Sequence, residues 1–137
     1  MAGLITLDSH HHTGIVVKDA DATAESYTKK LGSGDWEFID GGPIRMANGN
    51  IGNIRYELLA PVEGQDSLWG AFLAEHGEGL HHLAYNVADV DEAVAKLEED
   101  GGKVVVYNGQ PVRIPKWMAY MEIGGPASII VELLKTR

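Results

Sequence analysis

The chain contains no cysteine. Disulfides, thiolate metal ligands and a cysteine nucleophile are thereby excluded. Long apolar runs are missing too: none approaches the roughly 18 residues that a membrane-crossing helix needs, so no membrane span is expected. The first residues show no basic cluster followed by an apolar stretch, so no secretory leader is expected, and a cytoplasmic location fits. Cations are outnumbered, with 11 Lys and Arg against 20 Asp and Glu, a formal net charge of −9. That balance argues against nucleic acid as a partner, because such binding relies on Lys and Arg meeting phosphates. It leaves an anionic small molecule possible, since a bound divalent ion and a few placed cations reverse the field inside a cleft.

What is present is a repeat. His12-Thr-Gly-Ile-Val-Val-Lys-Asp19-Ala-Asp21 is followed by a helical stretch to Gly32 and, later, by Tyr56-Glu57-Leu58-Leu59. His82-Leu-Ala-Tyr-Asn-Val-Ala-Asp89-Val-Asp91 is followed by a helical stretch to Gly102 and, later, by Val131-Glu132-Leu133-Leu134. Val17, Asp19, Asp21 and Gly32 recur 70 positions later as Val87, Asp89, Asp91 and Gly102. A period of this kind predicts stacked or paired structural units. At 137 residues and 45% apolar content the chain fits a single domain, residues 1–137, built from two half-size modules.

The local signals agree. Residues 10–17 read as a strand. Asp19 or Asp21 caps a helix over 20–31, which Gly32 closes. Strands follow at 36–40, 44–47 and 53–60, parted by Gly41-Gly42-Pro43 and Asn48-Gly49-Asn50. Module one is therefore β-α-β-β-β over about residues 10–60. Residues 61–78 form a linker with a short helix, 68–76, capped by Ser67. Module two, about 79–135, repeats the order: a strand over 80–87, a helix over 89–100, then strands at 103–107, near Val112, at 117–123 and at 128–134. Residues 108–116, with Pro111 and Pro115, suit an edge strand or an open connection. The fold class expected is α+β, with two paired βαβββ modules forming a curved sheet around a cleft.

His12, Glu57, His82 and Glu132 all fall on strands, where side chains alternate between faces. Glu57 shares its face with Arg55 and Leu59, and Glu132 with Ile130 and Leu134, so both sit beside apolar neighbours. A lone strand Glu usually faces solvent, and Arg55 is an available surface partner for Glu57. Matched placement of both pairs instead suggests a four-ligand metal site, because equivalent positions converge when similar units pair about a pseudo-twofold axis. His11 and His81 should face away from it, His10 is a minor alternative ligand, and His76 suits a helix C-terminus. Two imidazoles and two carboxylates accommodate Zn, Co, Ni, Mn or Fe(II).

These residues and units resemble the vicinal oxygen chelate superfamily, which includes glyoxalase I, methylmalonyl-CoA epimerase, extradiol dioxygenases and bleomycin-resistance proteins. The resemblance spans about residues 10–135. Within it, Glu57-Leu-Leu-Ala-Pro61, Ser67, Phe72-Leu73 and Gly77-Glu-Gly-Leu-His-His82-Leu-Ala84 are similar to the linker of the epimerases. The resemblance implies a metal held by His12, Glu57, His82 and Glu132, with Glu132 first and Glu57 second as the base beside a polarised carbonyl. It implies a metal-dependent epimerase or isomerase acting on a carbonyl or acyl-thioester substrate, and a homodimer. The alternatives are a glyoxalase I-type lyase and a resistance protein that sequesters a ligand. Arg45 is a candidate for a substrate carboxylate, and Trp117 and Met118 for the pocket lining. The stretch Pro43-Ile44-Arg45-Met46 has no carboxylate where the epimerases carry a second acid; Asp40 is the nearest.

Overall fold

In the computed structural model, which describes residues 3–32 and 34–136, the β-branched run that opens the repeat is strand β1 (His10–Val16). Met1 and Ala2, where the expected leaderless N-terminus begins, lie outside the described residues. Helix α1 (Ala20–Leu31) starts at Asp19, whose carboxylate accepts from the Ala22 N–H, and ends at Gly32 with φ +77°. Strands β2 (Glu37–Asp40), β3 (Ile44–Ile51) and β4 (Ile54–Pro61) follow. Helix α2 (Leu68–His76) is capped by Ser67, whose hydroxyl accepts from the Gly70 N–H.

The second half runs β5 (Gly79–Val87), α3 (Val90–Glu99, capped by Asp89), β6 (Lys103–Val104), β7 (Val106–Tyr107), β8 (Gln110–Pro111), β9 (Arg113–Ile114), β10 (Met118–Glu122) and β11 (Ile130–Lys135). The chain is α+β, and both halves follow the βαβββ-like order that the repeat predicts. The expected strands at 103–107 and near Val112 are cut into short pieces. The cut is a small hairpin, β7 against β8, turning at Asn108 and Gly109, both at positive φ.

The chain divides into two compact units. One is His12–His81; the other comprises the described residues up to His11 and those from His82 onward. Each is described separately. In the first, β4 pairs parallel to β1 and antiparallel to β3, which pairs antiparallel to β2. The face toward α1 is apolar, with Val17, Ala20, Ala24, Ala47, Leu58 and Ala60 buried together. The other face buries Val16, Ile44 and Leu59 under Trp69, Phe72 and Leu73 of α2. The short helix expected as a linker is therefore packed into the first unit. In the second unit, β11 pairs parallel to β5 and antiparallel to β10, which also pairs β6 and β9. Val131, Leu133, Ala119 and Met121 pack there against Val90, Ala93 and Val94 of α3. The N-terminal segment joins this unit: the Asn86 N–H donates to the Ser9 carbonyl, and the His10 ring meets Tyr85 edge to face.

One expected turn is corrected. Asn48-Gly49-Asn50 lies inside β3, and the reversal comes at Gly52 and Asn53, with Gly52 at φ +62°. Gly49 serves packing instead: a Cβ there would come within 2.8 Å of the Trp36 ring. Trp36 is held in place by the hydrogen bond its indole N–H donates to Thr28.

Candidate metal centre

Strand register assigns the side chains to faces, because residues directly opposite each other on paired strands project to the same side. In the first unit, Gly14, Glu57, Asn48 and Glu37 form one cross-strand row. Val16, Leu59, Met46 and Ile39 form the row two residues along, and Asn50 and Arg55 pair on the other side of the polar row. His12 lies two residues before Gly14 on the same face. This face is apolar where α2 covers it and polar beyond. His12 is 4% exposed, and its Nδ1 lies 3.1 Å from the Glu57 carboxylate.

The second unit has an equivalent row, Ala84, Glu132 and Tyr120, on the face opposite α3. His82 lies two residues before Ala84. It is 2% exposed, and its Nε2 lies 3.2 Å from Glu132, itself 9% exposed. The His82 ring rests against Tyr120 with 4.9 Å between centroids. Each unit thus carries one buried or half-buried His–Glu pair at the repeat's equivalent positions.

The donor set fits a divalent ion. Two ligands each about 2.1 Å from a metal, at tetrahedral to octahedral angles, lie about 3.0–3.4 Å apart. Both pairs have that spacing. A carboxylate as buried as Glu132 is destabilising without a cation or hydrogen-bond donors, and an ion supplies that compensation. The two His/Glu pairs support a divalent metal as cofactor.

Other sequence candidates are placed as follows. Met118 shares the face of Glu132 and Tyr120, two residues along β10. Trp117 is 59% exposed and has the Lys135 ammonium 5.1 Å from its ring centroid. Arg45 is on the α1 face. It grips Asp21 through two hydrogen bonds, at 2.7 and 3.0 Å, donates a third to Asp40 at 2.9 Å, and lies over the Phe38 ring. The Arg45 guanidinium holds the Asp21 carboxyl below the usual carboxylate range, and the two carboxylates raise Arg45 in turn. Arg45 is thus directed away from Glu57 by strand alternation, and its donors are already engaged. Asp40 is engaged with it. His76 packs on Phe72, and so does His81, edge to face.

Glu37, Asn48 and Tyr120 were not singled out by sequence. The signal that finds them is register: with the turn at Gly52 and Asn53, β3 pairs with β4 so that Asn48 faces Glu57.

A sheet-borne, duplicated His–Glu frame on βαβββ-like units defines a class of metal-binding α+β proteins. The comparison with known sequences makes it specific. A model of the glyoxalase/bleomycin resistance protein/dioxygenase superfamily matches residues 11–118, and the chain belongs to that family. The ethylmalonyl-CoA/methylmalonyl-CoA epimerase of Cereibacter sphaeroides is 31% identical over 105 residues, covering 74% of this chain and 76% of that protein. The structure of methylmalonyl-CoA epimerase from Mycobacterium tuberculosis matches with a TM-score of 0.72 at 23% identity, over 100% of this chain and 93% of that one, a likeness of fold. A Streptomyces coelicolor methylmalonyl-CoA epimerase in complex with 2-nitronate-propionyl-CoA matches with a TM-score of 0.68 at 27% identity, over 96% and 99% of the two chains.

Proposed function

We propose that the protein is a metal-dependent epimerase or isomerase of the methylmalonyl-CoA epimerase kind, moving a proton next to the carbonyl of an acyl thioester. The observation that carries this reading is the buried His–Glu pair repeated at equivalent positions of both units. His12, Glu57, His82 and Glu132 would hold a single ion between them. A divalent ion so held supplies Lewis-acid polarisation of a carbonyl oxygen, which acidifies the adjacent C–H.

The chain's own residues do the rest. Glu132 takes the substrate's α-proton and returns it, and Glu57 is the second candidate for that role. Tyr120 fixes the plane of the His82 ring, so that one nitrogen stays directed at Glu132. Met118 lines the substrate side of the Glu132 face. Inversion at the α-carbon needs a proton carrier on the opposite side of that carbon. Glu37 suits this role, because it shares the row of Glu57 with only Asn48 between them. The assembly is read as a cytoplasmic homodimer of single-domain chains, which light scattering on the purified protein tests. Among the described residues no helix is long and apolar enough to cross a membrane.

The deciding experiment is hydrogen exchange from deuterated solvent into methylmalonyl-CoA, with and without added divalent metal. The reading predicts metal-dependent incorporation at the α-carbon. Activity confined to glutathione hemithioacetals would overturn it.

A further inference from the structure

Two buried polar atoms beside Glu57 have no hydrogen-bond partner among the described residues: Oδ1 of Asn48 and Nε of Arg55. Both residues are on the Glu57 face. Asn48 is directly opposite Glu57 in the register, and Arg55 is two residues before it on the same strand. Asn48 is 8% exposed, and its carboxamide is reached from neither solvent nor backbone donors. The Arg55 side chain is 39% exposed, so the guanidinium opens toward solvent while Nε is enclosed. Nε lies 3.9 Å from the Glu57 carboxylate, too far for a hydrogen bond.

Buried polar groups are nearly always satisfied, and those that are not concentrate where a ligand completes them. The unit's other Lys and Arg residues are elsewhere. Lys18 follows β1, Lys29 and Lys30 are on α1, and Arg45 is bound to Asp21 and Asp40 on the α1 face. Arg55 is therefore the one Lys or Arg that the strands of this unit present on the face of His12 and Glu57. In a chain of net charge −9, a cation placed there draws an anion to one spot.

We propose that Arg55 and Asn48 form a carboxylate subsite beside Glu57, which selects carbonyl substrates that themselves carry a carboxylate. Arg55 presents its N–H groups to the two carboxylate oxygens, a match of planar donor fork to planar acceptor. Asn48 donates through its amide. Oxygen and nitrogen of a carboxamide are told apart only by their partners, so the group turns to suit the ligand. Arg45, the sequence candidate for this role, is excluded by its committed donors. This inference rests on the proposed proton-transfer reading for its choice of substrate, but not for its test.

The test is titration calorimetry of malonate into metal-loaded and metal-free protein, for wild type and for Arg55→Gln, Arg55→Lys, Asn48→Asp and Arg45→Gln. Arg55→Gln should weaken malonate binding roughly ten- to hundredfold, as expected for a charge-assisted pair. Arg55→Lys should recover part of the loss, and Asn48→Asp should weaken binding through like charge. Metal content should be unchanged in all of these. In parallel, the preference for methylmalonyl-CoA over propionyl-CoA in solvent exchange should fall by a similar factor in Arg55→Gln. Malonate affinity unaffected by Arg55→Gln, an equal loss in Arg45→Gln, or a loss that tracks metal content would overturn the proposal. If neither thioester exchanges hydrogen in the wild type, the proton-transfer reading fails, and the malonate titration still decides the subsite.

Discussion

Charge decides most of what single residues do in this protein. Glu132 is buried with His82, so its ionised form persists only with a compensating cation or donor. Glu132→Gln keeps the shape and removes the charge. It should lower solvent exchange into substrate by at least about a hundredfold, the lower range for losing a general base, while circular dichroism stays that of wild type. The exposed carboxylates tell a different story. Asp21 and Asp91 recur at equivalent repeat positions, and each is held low by an arginine hydrogen bond, from Arg45 and Arg113 respectively. Their folded pKa values lie below the unfolded ones, so the unfolded chain binds more protons between the two. The associated stability is present above about pH 4 and is lost as pH falls through the folded values. Urea midpoints measured between pH 2 and 6 should drop on the acid side, and the drop should flatten in Arg45→Met and Arg113→Met. The repeat at Asp21 and Asp91 was visible in the sequence. Its arginine partners were not, because 24 and 22 residues separate them from the aspartates and only the folded strands bring them near.

At the scale of elements, caps were the most legible feature. Asp19, Ser67 and Asp89 each begin a helix, as their short polar side chains and following helix formers predict. Turns were less so. Asn48-Gly49-Asn50 has turn composition, but its glycine makes room for Trp36. Gly49→Ala should therefore destabilise the protein by about 1–3 kcal/mol, the range for overpacking, read as a lowered denaturant midpoint. Conversely, Asn108-Gly109 is a strong hairpin signal inside a stretch whose prolines suggested an open connection. Misplacing one turn hides the register of two strands, and with it the row of Glu37, Asn48 and Glu57. That row carries its own prediction. Glu37→Gln should retain exchange of solvent hydrogen into one enantiomer of substrate and lose its conversion to the other, followed by chiral chromatography beside deuterium incorporation. Equal loss of both would remove Glu37 as the opposite-side proton carrier.

For the whole molecule, duplication is the organising fact. Two βαβββ-like units were legible because strand and helix periodicity, caps and glycine stops recur in order. The site was legible in outline for the same reason: His12, Glu57, His82 and Glu132 occupy matched places, and matched places in similar units have matched directions. The division of the chain was not legible. Residues up to His11 group with the second unit, through Ser9 to Asn86 and His10 to Tyr85, and helix α2 groups with the first through its apolar face. Neither docking leaves a periodic signal in so short a segment. The account's central claim is that one divalent ion is held jointly by both His–Glu pairs. Metal analysis of protein purified without chelator tests it most directly, with wild type beside His12→Ala, Glu57→Gln, His82→Ala and Glu132→Gln. The account predicts about one ion per chain in the wild type, and a substantial loss in every variant, whichever pair is altered. No stoichiometric metal in the wild type, or metal that depends on one pair and is indifferent to the other, would contradict it.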